Sequence, residues 1–396
     1  MKFLQICSKP PIPLVDGGAI AMHALTESLL SNGHQVKVVC IFTDKHDFMP
    51  EKMPASYIKE TDIEGVYVDT KLHALEVYSN FITRDPYNLN RFFSVDMDIR
   101  LTRILQREKF DFIILESLFT TPYLATLRRN SNAKIILRSH NIEHHIWNKL
   151  ANGERNFLKK IYLKYLSRKL QNAEISAWRS VDATACISET DTIVTQAFCK
   201  SKPVFLLPMA TQPKAPIQYE LENSCYHIGS MDWLPNIEAM DWFINEIWSK
   251  IHSELPQYHF HFAGRSMPHR FTNSNSQNIS CHGEVESSED FMRNHGIMIV
   301  PLRSGSGIRV KILEAFAMGI PVIATELAVR GLPIQNQEHF LLANKPEEWI
   351  KALKQLSNIS ERKRIGTNAL QFISTEYNTK KIGGSFIQTL KALRKK

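Results

Sequence analysis

The chain has 396 residues, 43% hydrophobic and 22% charged, with a formal net charge of +8. That length points to two comparable domains, and the balance excludes a disordered, collagenous or coiled-coil protein. The positive charge asks for anionic partners such as nucleotide phosphates or phospholipid head groups; with no zinc-finger, RNA-binding aromatic or basic-tail motif, nucleic acid is not among the expected partners.

Residues 2–8 read as a first strand. A loop with Pro10, Pro11 and Pro13 follows, then Asp16, Gly17 and Gly18, and a helix running to about Ser31. Asn32 and Gly33 stop that helix, and residues 35–42 form the next strand. Strand, glycine loop, helix and strand in this order open a doubly wound α/β domain. The loop is neither G-x-G-x-x-G nor a Walker lysine motif, so an ordinary dinucleotide fingerprint is excluded. Residue types alone make it a tight turn. Further strands are expected at 111–116, 133–139, 183–187 and 204–207, with helical patterns between them, the longest from about residue 154 to 178. Residues 208–216 contain three prolines and no periodicity, which suits a linker near residue 210.

Pattern then restarts, with strands expected at 226–230, 259–263, 279–282, 296–302 and 321–324. The expected domains are 1–208 and 217–378, and residues 379–396 read as a basic amphipathic helix. The six cysteines lie at no metal-ligand or redox spacing, as in a reduced cytosolic protein. The N-terminus is no signal peptide, and no apolar run approaches the ~20 residues of a membrane-spanning helix. The expected location is cytoplasmic.

Candidate chemistry concentrates in residues 301–331. Ser304, Gly305, Ser306 and Gly307 alternate serine and glycine ahead of a helix running to about Met318, with Gly319 as its stop and Pro321 beyond it. A glycine loop at a helix N-terminus is a ready anion site. Arg309 and Lys311 place two cations in the first turn, against the helix dipole, and a bound diphosphate would explain them. Glu314 falls on the stripe expected to be buried. Either it pairs with Lys311 at i,i+3 or sits at a fringe that reaches water, or it accepts hydrogen bonds from ligand hydroxyls.

In Arg138 to His145, R-S-H-N-I-E-H-H, a polar cluster leaves the end of a strand. One reading has Asn141 capping the next helix with the histidines exposed. A metal reading of His140, His144 and His145 lacks a matching carboxylate–histidine signature. The basic residues Arg155, Lys159, Lys160, Lys164, Arg168, Lys169 and Arg179 interleave with Phe157, Leu158, Ile161 and other apolar residues. A solvated helix face packed on the sheet is the simpler account, and contact with an anionic membrane the sharper one.

Gly305, Gly307, Arg309, Lys311 and Glu314 match the pattern G-x-G-x-R-x-K-x-x-E, and the segment resembles the nucleotide-sugar site of retaining GT-B glycosyltransferases of the family 4 type (glycosyl transferases group 1). That family carries two glutamates eight positions apart; Glu314 matches the second, which holds the nucleotide ribose, while Ser306 stands where the first would be. The resemblance implies a GT-B fold: two Rossmann-like α/β domains facing each other across a cleft, the final helix crossing back onto the first domain. The first domain would take the acceptor and the second the nucleotide sugar.

It further implies roles residue by residue. Gly17 and Gly18 approach the donor phosphate and the acceptor. His140 lies near the donor sugar, with Asn141 and Glu143 beside it, Glu143 orienting the acceptor or the loop. Gly229 opens the diphosphate loop, where many relatives carry an Arg and a Lys. This chain has neither between Gly229 and Glu238, so Arg309, Lys311 and Arg265 become the candidate cations, Arg265 being equally readable as a surface ion pair. Gly283 matches a turn whose neighbours, Glu284 and Val285, read the nucleobase. The implied reaction moves a sugar from a nucleoside-diphosphate sugar to an acceptor hydroxyl, a sugar or a lipid-linked sugar, with retention and with no metal or other cofactor. Polysaccharide or glycan biosynthesis is the implied setting. Two other readings stay open: a nucleotide-sugar epimerase of the same architecture, and a catalytically silent nucleotide-binding partner protein.

Overall fold

In the computed structural model, residues 1–71, 86–154, 156–219, 223–272, 278–305 and 309–394 are described. Two compact units emerge: Met1–Ala210 with Thr379–Lys396, and Thr211–Asn378.

The first unit is built on a seven-stranded parallel sheet ordered β3-β2-β1-β4-β5-β6-β7. Its strands are β1 (Lys2–Cys7), β2 (Gln35–Phe42), β3 (Glu64–Tyr67), β4 (Phe112–Glu116), β5 (Lys134–Ser139), β6 (Ala183–Cys186) and β7 (Val204–Leu206). Apolar runs such as F-I-I-L-E and K-I-I-L-R-S suit strands covered on both faces. Successive side chains go to opposite faces. Leu4, Ile6, Ile113 and Leu115 join one core with Met97, Leu101 and Trp178. Phe3, Phe112 and Ile114 join the other with Met22, Leu25 and Leu29. Strand order reverses between β1 and β4, so a crevice belongs at the carboxyl ends of those strands. There Cys7 pairs with Glu116, and Glu116 with Arg138.

Helix α1 (Gly17–Ser31) begins at Asp16, whose carboxylate accepts from the Ala19 amide, and ends at Asn32 and the positive-φ Gly33. The stretch expected to form the longest helix, from about residue 154 to 178, forms α3 (Phe157–Ser180), and a separate helix, α2 (Glu143–Gly153), precedes it. β3 was not foreseen. It is an edge strand, only partly buried, with no apolar run to announce it.

The second unit carries a six-stranded parallel sheet ordered β10-β9-β8-β11-β12-β13. It comprises β8 (Ser224–Ile228), β9 (His259–Ala263), β10 (Ile279–Cys281), β11 (Ile297–Val300), β12 (Val322–Ala324) and β13 (Leu341–Leu342). Helices α4 (Leu234–Trp242), α5 (Ser288–His295) and α6 (Val310–Ala317) follow β8, β10 and β11. The reversal lies between β8 and β11. Two residues are too few for β13 to show in sequence. Among the described residues no helix is long and apolar enough to cross a membrane.

Chain end α7 (Thr379–Arg394) packs on α1 within the first unit, as the crossing back requires. Ile382, Phe386 and Leu390, at helical spacing, enter the core beside Leu25 and Leu29. Gly383 lets the backbones approach: a Cβ there would lie 2.4 Å from the Ser28 carbonyl oxygen. Gly383→Ala is therefore expected to lower stability by roughly 1–3 kcal/mol, read by denaturant unfolding; an unchanged midpoint would show that the two helices do not touch in this way.

Candidate active site

The first unit's crevice is organised by a residue the sequence reading passed over. Glu116 ends β4, is fully buried, and gathers three side chains. Gln5 Nε2 donates to it at 2.8 Å, Arg138 Nη1 approaches both oxygens at 3.4 Å, and His140 Nε2 lies 2.5 Å away. Arg138 also donates to the Ala21 carbonyl at 2.7 Å, and Thr26 donates to Gln5 at 2.7 Å. Burial opposes ionisation of Glu116, but Arg138, then His140 and Gln5, hold its carboxyl below the ordinary value. His140, largely buried, is thereby fixed at the strand end. The available sequence signal was an acid closing an apolar parallel strand at the end where crevices form.

A second acid, Glu174 on α3, is equally buried. It accepts from the Glu143 and His144 amides at 3.0 and 3.3 Å and contacts His144 Nδ1 at 2.6 Å. Capping of α2 thus falls to Glu174 and not to Asn141, whose side chain does not cap; Asn141 instead offers its carbonyl to Ser139 Oγ at 2.9 Å. His140 is largely buried, His144 buried and His145 exposed, so the expectation of exposed histidines fails for His140 and His144. Burial, then the neighbouring Glu174 carboxylate, pushes the Glu143 carboxyl up to about 7.

Gly17 and Gly18 are the first residues of α1, not a free-standing turn. Asp16 beside them pairs with Lys9 Nζ at 2.6 Å, and Lys9 packs where a Gly18 Cβ would be, 2.9 Å from its Cε. Burial works against the Asp16 charge, yet Lys9 and the Ala19 amide hold its carboxyl below the ordinary value.

In the second unit the loops after β8, β9 and β10 converge through glycine. The Gly229 amide donates to Ala263 O at 3.1 Å and the Gly264 amide to Gly283 O at 2.7 Å. A Cβ on Gly264 would sit 1.8 Å from the Gly229 oxygen. Arg265 is brought onto the Gly229 loop: its Nε donates to Ser230 Oγ at 2.9 Å, and its Nη2 lies 3.7 Å from Asp232 Oδ2. Gly283 has φ +62, placing Glu284 and Val285 on a turn past β10; Glu284 is exposed and Val285 partly so.

Gly305 has φ +112, a conformation that side chains rarely adopt. The Trp233 ring and the Arg309 guanidinium crowd it, and Arg309 lies over that ring at 5.1 Å from its centroid. Trp233 is a further residue missed in sequence. Ser304 Oγ donates to Glu238 at 2.5 Å, tying the same loop to α4. Arg309 stands just ahead of α6 as its N-cap and not inside the first turn, while Lys311 is within it. Burial draws the Arg309 guanidinium down to about 10, still cationic at neutral pH. Glu314 is partly exposed, not on the buried stripe, and pairs with Lys311 at 2.9 Å. Ser306 and Gly307 lie outside the described residues, as does Arg155.

Two doubly wound parallel domains, each with polar loops at its strand-reversal point, define the GT-B class. The family model for Glycosyltransferase Family 4 matches residues 15–202, and that for Glycosyl transferases group 1 matches residues 222–358. With these matches over both units, the chain belongs to the GT-B glycosyltransferases of family 4, group 1 type. A Klebsiella pneumoniae protein described as an uncharacterized 44.6 kDa protein in the cps region is 24% identical to it, over 98% of this chain and 99% of its own. Sucrose-phosphate synthase from Thermosynechococcus elongatus superposes with a TM-score of 0.69 at 14% identity, over 100% of each chain. A mutant TarM of S. aureus, in complex with Fondaparinux, alpha-GlcNAc-glycerol and UDP, gives 0.66 at 12% identity, over 98% of this chain and 100% of that one. The protein is a glycosyltransferase.

Removing the Glu116 carboxylate strands the buried Arg138 charge. Glu116→Ala is expected to cost about 3–5 kcal/mol. Because the folded-state carboxyl is held low, the wild-type contribution is present above pH ~4.3 and is lost as pH falls below it. Denaturant unfolding of both proteins from pH 7 downward checks this; a variant equal to wild type at pH 7 would remove the ion cluster from the account.

Proposed function

We propose that the protein transfers a sugar from a nucleoside-diphosphate sugar to an acceptor hydroxyl, with retention of configuration, in the assembly of a surface polysaccharide. The carrying observation is the junction of Gly305, Trp233 and Arg309 beside the N-terminus of α6. A guanidinium held by an aromatic face, next to helix amides, suits a diphosphate that gains charge as the glycosidic bond breaks. Lys311 adds a second cation and holds Glu314. Glu314 is assigned to the nucleotide ribose, the Gly283 turn with Glu284 and Val285 to the base, and the Gly229 loop with Arg265 to the diphosphate. In the first unit His140, Asn141, Glu143, Gly17 and Gly18 are assigned to the acceptor and the transferred sugar. Neither a metal nor another cofactor has a part in this reading. The relative from a cps region supports the polysaccharide setting, and the UDP in the TarM complex makes uridine nucleotides the first to test.

Transfer assays over a panel of nucleotide sugars, together with calorimetric titration of UDP, GDP, ADP and TDP, test the reading. Arg309→Ala is expected to slow transfer by about 2–4 kcal/mol of barrier, whereas Glu314→Ala is expected chiefly to weaken nucleotide binding. Wild-type turnover by the Arg309 variant would end the assignment.

The acceptor side includes a membrane surface in this proposal. In its later turns α3 buries Leu166, Leu170, Ala177 and Trp178. Its first turns do the opposite: Phe157 is 72% and Leu158 76% exposed, with Ile161 and, on α2, Leu150 also exposed. Lys159, Lys160 and Lys164 flank them. Apolar side chains ringed by lysines fit an anionic bilayer and a lipid-linked acceptor. A Phe157→Ser, Leu158→Ser variant is expected to lose at least about tenfold in co-sedimentation with phosphatidylglycerol-rich vesicles, given ~1.5–3 kcal/mol per buried large side chain. Equal binding of variant and wild type would refute the contact.

A further inference from the structure

We propose that His261, His282 and His295 form a binding site for a divalent transition-metal ion of the zinc, cobalt or nickel kind. The three come from separate elements: His261 from the middle of β9, His282 from the residue after β10, and His295 from the last position of α5. One ring nitrogen from each lies within 4.8 Å of the other two. His261 Nδ1 and His282 Nε2 are 3.0 Å apart, and the His261 and His295 ring centroids 4.1 Å. A tetrahedral ion with bonds of ~2.0–2.1 Å to nitrogen holds its ligand atoms ~3.3 Å apart, so a small inward movement of His295 completes the geometry.

Orientation supports ligation over mere packing. His295 Nδ1 faces the Phe291 carbonyl oxygen at 2.7 Å, which makes it the protonated nitrogen and leaves the Nε2 lone pair free. His259 stacks on His261 at 4.4 Å, with its own Nε2 engaged by Ser280 Oγ at 2.9 Å, so it backs the ligand ring. Phe291 packs on His295 and His282 from the other side. His282 is exposed, which gives an ion a way in and leaves a fourth position for water. Three imidazoles with no carboxylate select borderline transition metals over magnesium or calcium.

Such an ion would clamp β9, the end of β10 and α5 together, one residue from the Gly283 turn. It touches none of the residues assigned to the diphosphate, so the proposal stands apart from the transfer reaction.

The test uses the untagged full chain, stripped with chelator and then titrated with Co2+ by visible absorption and with Zn2+ by calorimetry. One ion per chain is expected, with a cobalt spectrum of four- or five-coordinate type and a higher melting temperature with Zn2+. His282→Gln, at an exposed position, and His295→Gln are each expected to weaken binding at least about tenfold, in line with a lost ligand. His145→Gln, on the first unit, is expected to leave binding unchanged. Absence of binding in the wild type, or wild-type affinity in both His282→Gln and His295→Gln, would overturn the site.

Discussion

A carboxylate with no access to water dictates the geometry around it, and Glu116 is that group in the first unit. Left alone at the end of an apolar strand, it would take up a proton. Instead β1 supplies Gln5, β5 supplies Arg138, and the residue after β5 supplies His140. Parallel register makes this economical in sequence: Cys7, Glu116 and Arg138 stand abreast on neighbouring strands. An imidazole anchored through Nε2 to such a carboxylate cannot swing freely, so the placement of His140 follows from the sheet and not from its loop.

Glu174 repeats the device one layer out. A mid-helix acid between Leu170 and Ala177 points at the core, and it receives the first amides of α2 and the His144 ring. Burial, and after it the same carboxylate, raises the proton affinity of Glu143. Two buried acids therefore fix one histidine at the crevice and prepare one glutamate to titrate near neutrality.

Much of this architecture was legible from sequence. Parallel strands covered on both faces must be apolar throughout, so β4, β5 and β11 stood out as runs bounded by glycine, proline or polar residues. The edge strands β3 and β13 did not, because they need no such run. Glu116 hid for the opposite reason: it looks like the polar end of a strand, and only three-dimensional register shows that Gln5 and Arg138 lie beside it. Trp233 hid because an aromatic in a loop carries no periodic signal. The Lys311–Glu314 pair was readable, since i,i+3 spacing on a helix fixes the neighbour without knowledge of the fold.

The second unit meets the electrostatic problem in a different way, and one peculiarity of the sequence explains how. The loop after β8 has no Arg or Lys between Gly229 and Glu238. In that loop stands Trp233, whose face receives Arg309 from the loop after β11. The loop's Ser230 receives Arg265 from the loop after β9. A cation missing from one segment is thus replaced by groups that hold cations borrowed from two others. An aromatic face can do this without neutralising the charge, as a carboxylate partner would. Arg309 keeps its proton despite burial. Gly305 permits the arrangement, because its left-handed backbone leaves the space that the tryptophan and the guanidinium fill. Under the proposed function, substitutions that would ordinarily remove a diphosphate site have relocated it to a guanidinium resting on an indole.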